Sequence, residues 1–476
     1  MTTPIVRLFG LVVVLFALLI AFTSRWTVFE ARGLRDNPLN RRALLDELTI
    51  KRGLIRAGDG TVLARSVPAG GGTWRRIYPT GDPFSQTVGI SFPARGIANS
   101  GLERSRNGAL LGEGNELSSI FRELRGSQRV GDNVETSLDP AAQRAAIAGL
   151  GGRAGSVVAL DPRTGAVKVM TSIPSFDPGA FAQARTAPGS PLLNRATQAS
   201  YPPASTFKVV TAAAALDTGR YTPDSVVDGS SPQIVSGVPL SNDGGQSFGP
   251  ISLTEALTFS VNTVWARVGE SLGRATMGRY MKRFGFYAKP ELDYPGDQML
   301  ASGEYYRGRL LSPLSPRIDV GRMAIGQDKL QVTPLQMAEV AAAVANRGKL
   351  MRPRLTARIV DTDGRSRDRI EPAAQSTVMK PSTAAALGQM MTRVVAEGTG
   401  TAAALQGIQV AGKTGTAQVG PAGGNLTQPW FIGFAPVEHP RVAVAVTVER
   451  TDGGFGGTEA APIAADVMRV LLGQGG

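Results

Sequence analysis

The 476-residue chain is 42% hydrophobic and 19% charged, an ordinary globular composition with length for two or three domains, each burying its own core. It has no cysteine and one histidine, His439, which excludes thiol nucleophiles, disulfides and Cys/His zinc sites and leaves a Ser-His-Asp triad dependent on His439 alone. The formal charge of +13 favours an anionic partner such as a lipid surface or a phosphate-bearing polymer, but no Lys/Arg-dense helix, arm or aromatic-interleaved basic stripe supports nucleic acid, and an Arg-rich solvated surface also accounts for it.

The chain opens "MTTPIVRLFGLVVVLFALLIAFTSRW". Leu8 to Phe22 is uninterrupted apolar and, counted from Ile5, just reaches the ~18 residues expected of a spanning helix. A signal-peptide core is the alternative, but no small-x-small cleavage site follows and Trp26 suits the far interface, so residues 1–24 are read as a membrane anchor. Arg7 lies on one side and Arg25, Arg32 and Arg35 on the other; the very short N-terminal tail favours the N-terminus inside and the body outside.

Residues 25–150 alternate strand-like runs with turn clusters and read as a pedestal without reactive groups. Leu54-Ile55 and Val62-Leu63 flank Gly58-Asp59-Gly60 as a hairpin, and "GGG" at 70–72 and the Arg/Gly-rich text near 104–132 read as loops. From 151 the pattern changes. Val157–Leu160 and Ala166–Met170 are strands around the turn Asp161–Gly165, and "PWFIGFAPVEHPRVAVAVTVER" is a second pair, with His439 in its tight turn and "QVAGKTGTAQV" a strand before it. Strands at both ends, helical text between them and a helical "AAPIAADVMRVLLG" predict one antiparallel sheet assembled from both ends of residues 151–473 with a helical insertion, an α+β fold. Within the insertion, "ISLTEALTFSVNTVWARVGESLG" reads as one helix starting near Thr254. "TPLQMAEVAAAVANRG" reads as another, with start signals at Thr333-Pro334 and a stop at Gly348. "RIVDTDGRSRDRI" reads as a hairpin about Asp363-Gly364; Asp361 and Asp363 lack the rest of a calcium loop.

The stretch "SYPPASTFKVVTAAAAL" sets a lysine inside a buried helix, one turn from a serine. Pro202-Pro203 end any earlier helix, so Ser205 falls in the first turn, with unpaired N–H groups and the positive dipole end, and Lys208 shares its face. For that amine to accept a proton at neutral pH its pKa must fall by roughly 3 units, which burial and a second cation at ~6 Å could together supply. Lys413-Thr414-Gly415-Thr416 offers that cation on a strand, where the bare Gly415 would let a ligand backbone lie along the edge. Ser260-Val261-Asn262 offers a second hydroxyl and an amide within a helical segment. Each piece alone is weak, but Ser-x-x-Lys, Ser-x-Asn and Lys-Thr-Gly in this order are the signature shared by penicillin-binding proteins and class A β-lactamases.

With these motifs the chain resembles the class B penicillin-binding proteins, monofunctional peptidoglycan D,D-transpeptidases, and most of all the actinobacterial penicillin-binding protein A type. "NPLNRRALLDELTIKRGLI", "RIYPTGD", "SGLER" and "VETSLDPAAQRAA" resemble the family's pedestal, or dimerisation-like, domain. "GSVVALDPRTGAVKVMTSIPSFDP", "NRATQASYPPASTFKVVTAAAAL", "MAIGQDKLQVTPLQMAEVAAAVANRG", "EGTGTAA" and "WFIGFAP" resemble its transpeptidase domain. The resemblance implies that Ser205 is the nucleophile, Lys208 takes its proton, Ser260 relays protons to the leaving amine, Asn262 holds the substrate amide and Lys413 supplies an electrostatic push. It implies further that Thr414 and Thr416 bind the terminal carboxylate and that the N–H groups of Ser205 and Thr416 form the oxyanion hole. Implied as partners are stem peptides ending in D-Ala-D-Ala, penicillin and other β-lactams, and a membrane glycan polymerase of the shape, elongation, division and sporulation family; no metal or organic cofactor is implied.

Three departures stand out: Ala204 replaces the family's usual Gly, Gln428-Pro429 precede Trp430 where His-Ala is common, and the pedestal is short. Two alternatives remain open. One is a D,D-carboxypeptidase, β-lactamase or β-lactam sensor of the same fold, although no Glu-x-x-x-Asn spacing occurs between Asn262 and Lys413. The other is a non-catalytic cell-wall scaffold, against which all three motifs are intact. Septal or sidewall role, acceptor amine and oligomeric state are not written in the chain.

Overall fold

The computed structural model describes residues 2–26, 30, 47–93, 99–113, 129–420 and 424–474. Arg32 and Arg35 of the orientation argument, the "NPLNRRALLD" part of the pedestal text, and the loop text between 114 and 128 lie outside them. The apolar N-terminus is one helix, Thr2–Ser24, whose 23 residues rise about 35 Å, enough to cross a bilayer core of about 30 Å.

A six-stranded antiparallel sheet organises the C-terminal body, five strands in the order 411–418, 426–435, 442–448, 155–160, 167–173 and a short sixth, 451–452, paired to 426–435, so its strands do come from both ends of the region. The three central strands are buried on both faces, and their side chains alternate between two cores as the strand period of two requires. Val157, Ala159, Val444 and Val446 meet the C-terminal helix Ala461–Leu471, while Val158, Leu160, Ala443 and Ala445 join the core around the helices Lys208–Asp217 and Pro334–Ala345. Thr333 caps the helix Pro334–Ala345, its side chain accepting from Gln336 N, and Pro334 occupies the first turn, where its missing N–H costs nothing.

Expectation and structure part company at three places. The helix Pro140–Leu150, expected to close the pedestal, lies on the central sheet instead, because Ala142, Ala146 and Leu150 form one apolar stripe that packs with Ile463 and Val467; a Cβ at Gly149 would stand 2.9 Å from Ile463. The hairpin Thr356–Val360 with Ser366–Arg369 forms about Asp363-Gly364 as expected, and Asp361 serves the turn, accepting from Asp363 N and Arg365 N. Yet it joins the pedestal, whose six-stranded sheet runs 366–369, 356–360, 133–136, 55–56, 62–70, 73–77. The start of the text near 104–132, expected to be loop, falls in two short helices, Gly101–Ser105 and Asn107–Leu110. They carry the fully buried Glu103 to Arg52 (2.8 Å) and Arg76 (2.6 Å). Burial opposes ionisation of Glu103, but the Arg76 and Arg52 charges outweigh it and hold the carboxyl below its usual range.

Glu339, in the wholly buried helix Pro334–Ala345, has only a long contact from Gln336 Nε2 at 3.4 Å, and burial, with the charge of Glu291, pushes its pKa up to about 8. Below pH 4.5 both folded and unfolded chains hold this proton and stability is complete; as pH rises toward 8 the unfolded chain alone releases it, and stability falls by at most about 1.4 kcal/mol per pH unit. Glu339→Gln should therefore gain thermal stability relative to the wild type at pH 7.5 and lose that advantage at pH 4.5, measured by parallel melts; a constant offset would refute the buried neutral carboxyl.

Candidate active site

Three chain segments that are far apart in sequence meet at one hydroxyl. The first is the turn at Ser205. After Pro203, Ala204 takes φ +49°, a left-handed conformation that costs an L-residue about 1–2 kcal/mol, and the chain then makes a 3-10 turn, Ala204–Phe207, that runs into the helix Lys208–Asp217. The turn is tied at each step: Ala204 N donates to Gly326 O (3.0 Å), Thr206 Oγ1 donates to Pro203 O (2.6 Å), and Trp430 Nε1 donates to Pro202 O (3.0 Å). Gly326 is glycine of necessity, since a Cβ there would sit 1.9 Å from Ala204 O.

The second segment departs from the single helix expected. It forms two helices, Leu253–Thr258 and Asn262–Arg283, the latter interrupted at Gly273, and Ser260 lies in the break with φ +61°. Ser252, rather than Thr254, caps the first helix in a reciprocal capping box with Glu255. The break has a chemical result: the Ser260 carbonyl, released from helical pairing, accepts from Lys208 Nζ at 2.7 Å. The third segment is the edge strand Ala411–Gln418, from which Lys413 Nζ donates to Ser260 Oγ at 2.9 Å and to Thr414 O at 3.0 Å.

Lys208 is fully buried and donates to Ser260 O, to Asn262 Oδ1 (2.7 Å) and to Ser260 Oγ (3.2 Å), which uses all three ammonium hydrogens. The expected Lys208 contact with Ser205 is not made: among the described residues no hydrogen bond reaches Ser205 Oγ, and the half-buried hydroxyl stands free at the turn. A charged Lys208 prefers three good acceptors to one; it can turn to Ser205 only after losing a proton. Burial, then the charge of Lys413, drives its pKa well below the ordinary lysine value, against a smaller opposing pull from Asp243; burial lowers that of Lys413 to about 7. Because both amines reach one oxygen, they lie within about 6 Å of each other, a repulsion of about 2.7 kcal/mol at an effective dielectric of 20 if both are charged.

Asn262 also donates through Nδ2 to Ser241 O (3.3 Å), and the neighbouring Asn242, buried, accepts from Thr263 N and pins that loop to the helix start. Thr416 keeps its hydroxyl hydrogen to offer, since its Oγ1 accepts from Gly456 N (3.1 Å), while Thr414 Oγ1 and Thr399 Oγ1 share one hydrogen bond (2.5 Å) in which either hydroxyl can donate. No spacing in the sequence marks Thr399, in "EGTGTAA", Gly456 or Asn242 as site residues. Gly415 also has a packing reason to be bare. A Cβ would meet Pro203 O at 2.9 Å and Thr206 Cγ2 at 3.1 Å, so the glycine lets the Ser205 turn close on the strand. His439 is exposed in the turn between the strands 426–435 and 442–448, outside this cluster.

Comparison with known proteins agrees with this geometry. Residues 155–469 match the penicillin binding protein transpeptidase domain and residues 52–134 the penicillin binding protein A dimerisation domain. The chain is 37% identical to peptidoglycan D,D-transpeptidase PbpA of Mycolicibacterium smegmatis over 100% of both chains, and 34% identical to that of Mycobacterium tuberculosis over 99% of both. Penicillin-binding protein A from M. tuberculosis superposes with a TM-score of 0.81 as its ceftriaxone acyl-enzyme and 0.78 as its penicillin G acyl-enzyme, each at 32% identity; these cover 90% and 89% of this chain and 100% and 99% of theirs.

Gly415→Ala should push the strand from the Ser205 turn at an overpacking cost of about 1–3 kcal/mol. A lower thermal midpoint with slower benzylpenicillin acylation is expected; an unchanged rate would mean that the strand and turn need not touch.

Proposed function

The chain belongs to the penicillin-binding transpeptidase family and is a serine-type peptidoglycan D,D-transpeptidase that β-lactams inhibit covalently, and from that premise we propose that Ser205 is its nucleophile, with Lys208, Ser260 and Lys413 as its proton-handling groups. The observation that carries this is the pair of buried lysines converging on Ser260 Oγ. Two ammoniums in a dry site repel, so at neutral pH one gives up its proton, and a neutral Lys208 can turn to Ser205 and take the hydroxyl proton as Oγ attacks.

The attack falls on the penultimate D-Ala carbonyl of a stem peptide ending in D-Ala-D-Ala. The N–H groups of Ser205 and Thr416, brought together by the Gly415 contact, stabilise the oxyanion. Ser260 passes a proton from the lysine pair to the leaving D-Ala amine, the C–N bond breaks and the acyl group remains on Ser205. Asn262 orients the substrate amide, while Lys413, Thr414 and Thr416 receive its carboxylate. An amine of a neighbouring stem then attacks the ester, loses a proton to Lys208 and frees Ser205 as the cross-link forms.

The N-terminal helix is assigned as a single-pass anchor with the N-terminus inside and the catalytic body outside, where its substrate lies. A glycan polymerase of the shape, elongation, division and sporulation family is the partner assigned to it. The domain division proposed is 1–24, 25–150 and 151–473 by sequence, with the helix 140–150 and the hairpin 356–369 exchanged across it in space.

Benzylpenicillin should leave one stable adduct on the wild-type chain, mapped to Ser205 by intact and peptide mass, and none on Ser205→Ala. Drug consumed without a lasting adduct would favour the hydrolase reading, and intact drug with no adduct the scaffold. The acylation rate should rise with pH as the lysine pair loses its first proton. In Lys413→Gln the neighbouring cation is gone, Lys208 holds its proton more tightly, and that rising limb should move to higher pH; no movement would separate the two lysines.

A further inference from the structure

None of the steps above uses Glu449, yet it receives two hydrogen bonds on one oxygen just behind the nucleophile. It follows the strand 442–448, and its backbone N donates to Ala154 O at 2.7 Å, so its place is fixed by the central sheet. Oε1 accepts from Arg195 Nε at 2.8 Å and from the Tyr201 hydroxyl in a short contact. Arg195 is buried and spends its other donors on the carbonyls of Gly189 and Ser190. Tyr201 is the entry to the nucleophile turn: its backbone pairs in both directions with Val332, and its ring packs edge-on against Trp430, whose indole holds Pro202 O.

The turn needs such holding, because Ala204, one residue before Ser205, sits at φ +49°, where alanine resists and glycine does not. Left to relax, Ala204 would rotate and carry Ser205 away from the Lys413 strand. Apart from the Tyr201 backbone pairing with Val332, the ties on the turn begin at or after Pro202; among the described residues, the side-chain hydrogen bond from Tyr201 to Glu449 is the one that connects its entrance to a carboxylate beside the central sheet.

We infer that Glu449 is a positioning residue for the nucleophile: through Tyr201, and braced by Arg195, it holds the strained turn so that Ser205 faces the lysine pair. This rests on Ser205 being the nucleophile.

The test uses the full chain in detergent micelles and stopped-flow acylation by nitrocefin, which separates the dissociation constant of the first complex from the acylation step k2. Tyr201→Phe and Glu449→Gln should each lower k2, the former by about tenfold, as expected for a small displacement of a reacting group. The dissociation constant should stay within about twofold, because the binding groups lie on the Lys413 strand and at Asn262, outside the turn. Ala204→Gly introduced into either variant should recover most of the lost k2, since glycine adopts the turn without strain. Unchanged k2 in both variants, a loss that Ala204→Gly fails to recover, or a parallel fall in k2 and thermal midpoint would each overturn the positioning role. No adduct at Ser205 in the wild type would overturn the nucleophile assignment and this inference with it.

Discussion

Two lysine side chains aimed at one serine hydroxyl inside a dry site cannot both remain charged at little cost. Lys208 and Lys413 are each fully buried, each donates to Ser260 Oγ, and their mutual repulsion adds to the desolvation that already disfavours two ammoniums. The local structure answers to that constraint. Ser260 leaves its helix so that its carbonyl can solvate Lys208, Asn262 turns its Oδ1 to the same amine, and Lys413 lies on an edge strand of the central sheet. A cation pair held this way has one proton too many near neutrality, which is what an acyl-transfer site without histidine requires.

Holding the pair demands a stiff frame, because two like charges push the segments that carry them apart. The central sheet supplies it, with both faces covered by helices and the edge strand fixed in register from Ala411↔Phe434 to Gln418↔Thr427. The Ser205 turn is pressed onto that strand at Gly415, backed by Trp430 and by Gly326. Strain accumulates here: Ala204 and Ser260 both take left-handed backbone conformations. Strain of this kind persists only where surrounding contacts over-determine the geometry, and the density of ties around Tyr201–Thr206 meets that condition.

The pedestal is joined to the catalytic body by more than a linker. The hairpin 356–369 leaves the catalytic region to complete the pedestal sheet, and Asp293 accepts from Leu355 N, Thr356 N and Arg106 at the crossing point. Tyr294 donates to Gln86 O, and Gln298 accepts from Gly101 N, so the segment 293–298 is sewn to the pedestal along its length. Two units divided cleanly in sequence are thus interlocked in space, and motion of one would be felt by the other.

The motifs Ser-x-x-Lys, Ser-x-Asn and Lys-Thr-Gly, the apolar N-terminal helix and the two sets of alternating strands were legible in the sequence because each is a local pattern: a spacing, a period, a composition. So was the assembly of one antiparallel sheet from both ends of the catalytic region. What could not be read was every feature set by a partner distant in the chain. The break at Ser260 is invisible in a helical pattern, since it is stabilised by Lys208, more than fifty residues earlier. Gly415 is bare because of Pro203 and Thr206, and the stripe on Pro140–Leu150 finds its partner in the last helix of the fold. The residue types determined which chemistry is available; only tertiary packing decided that Lys208 rests against Ser260 and Asn262 rather than Ser205, because a buried ammonium goes to whichever acceptors the fold brings within reach.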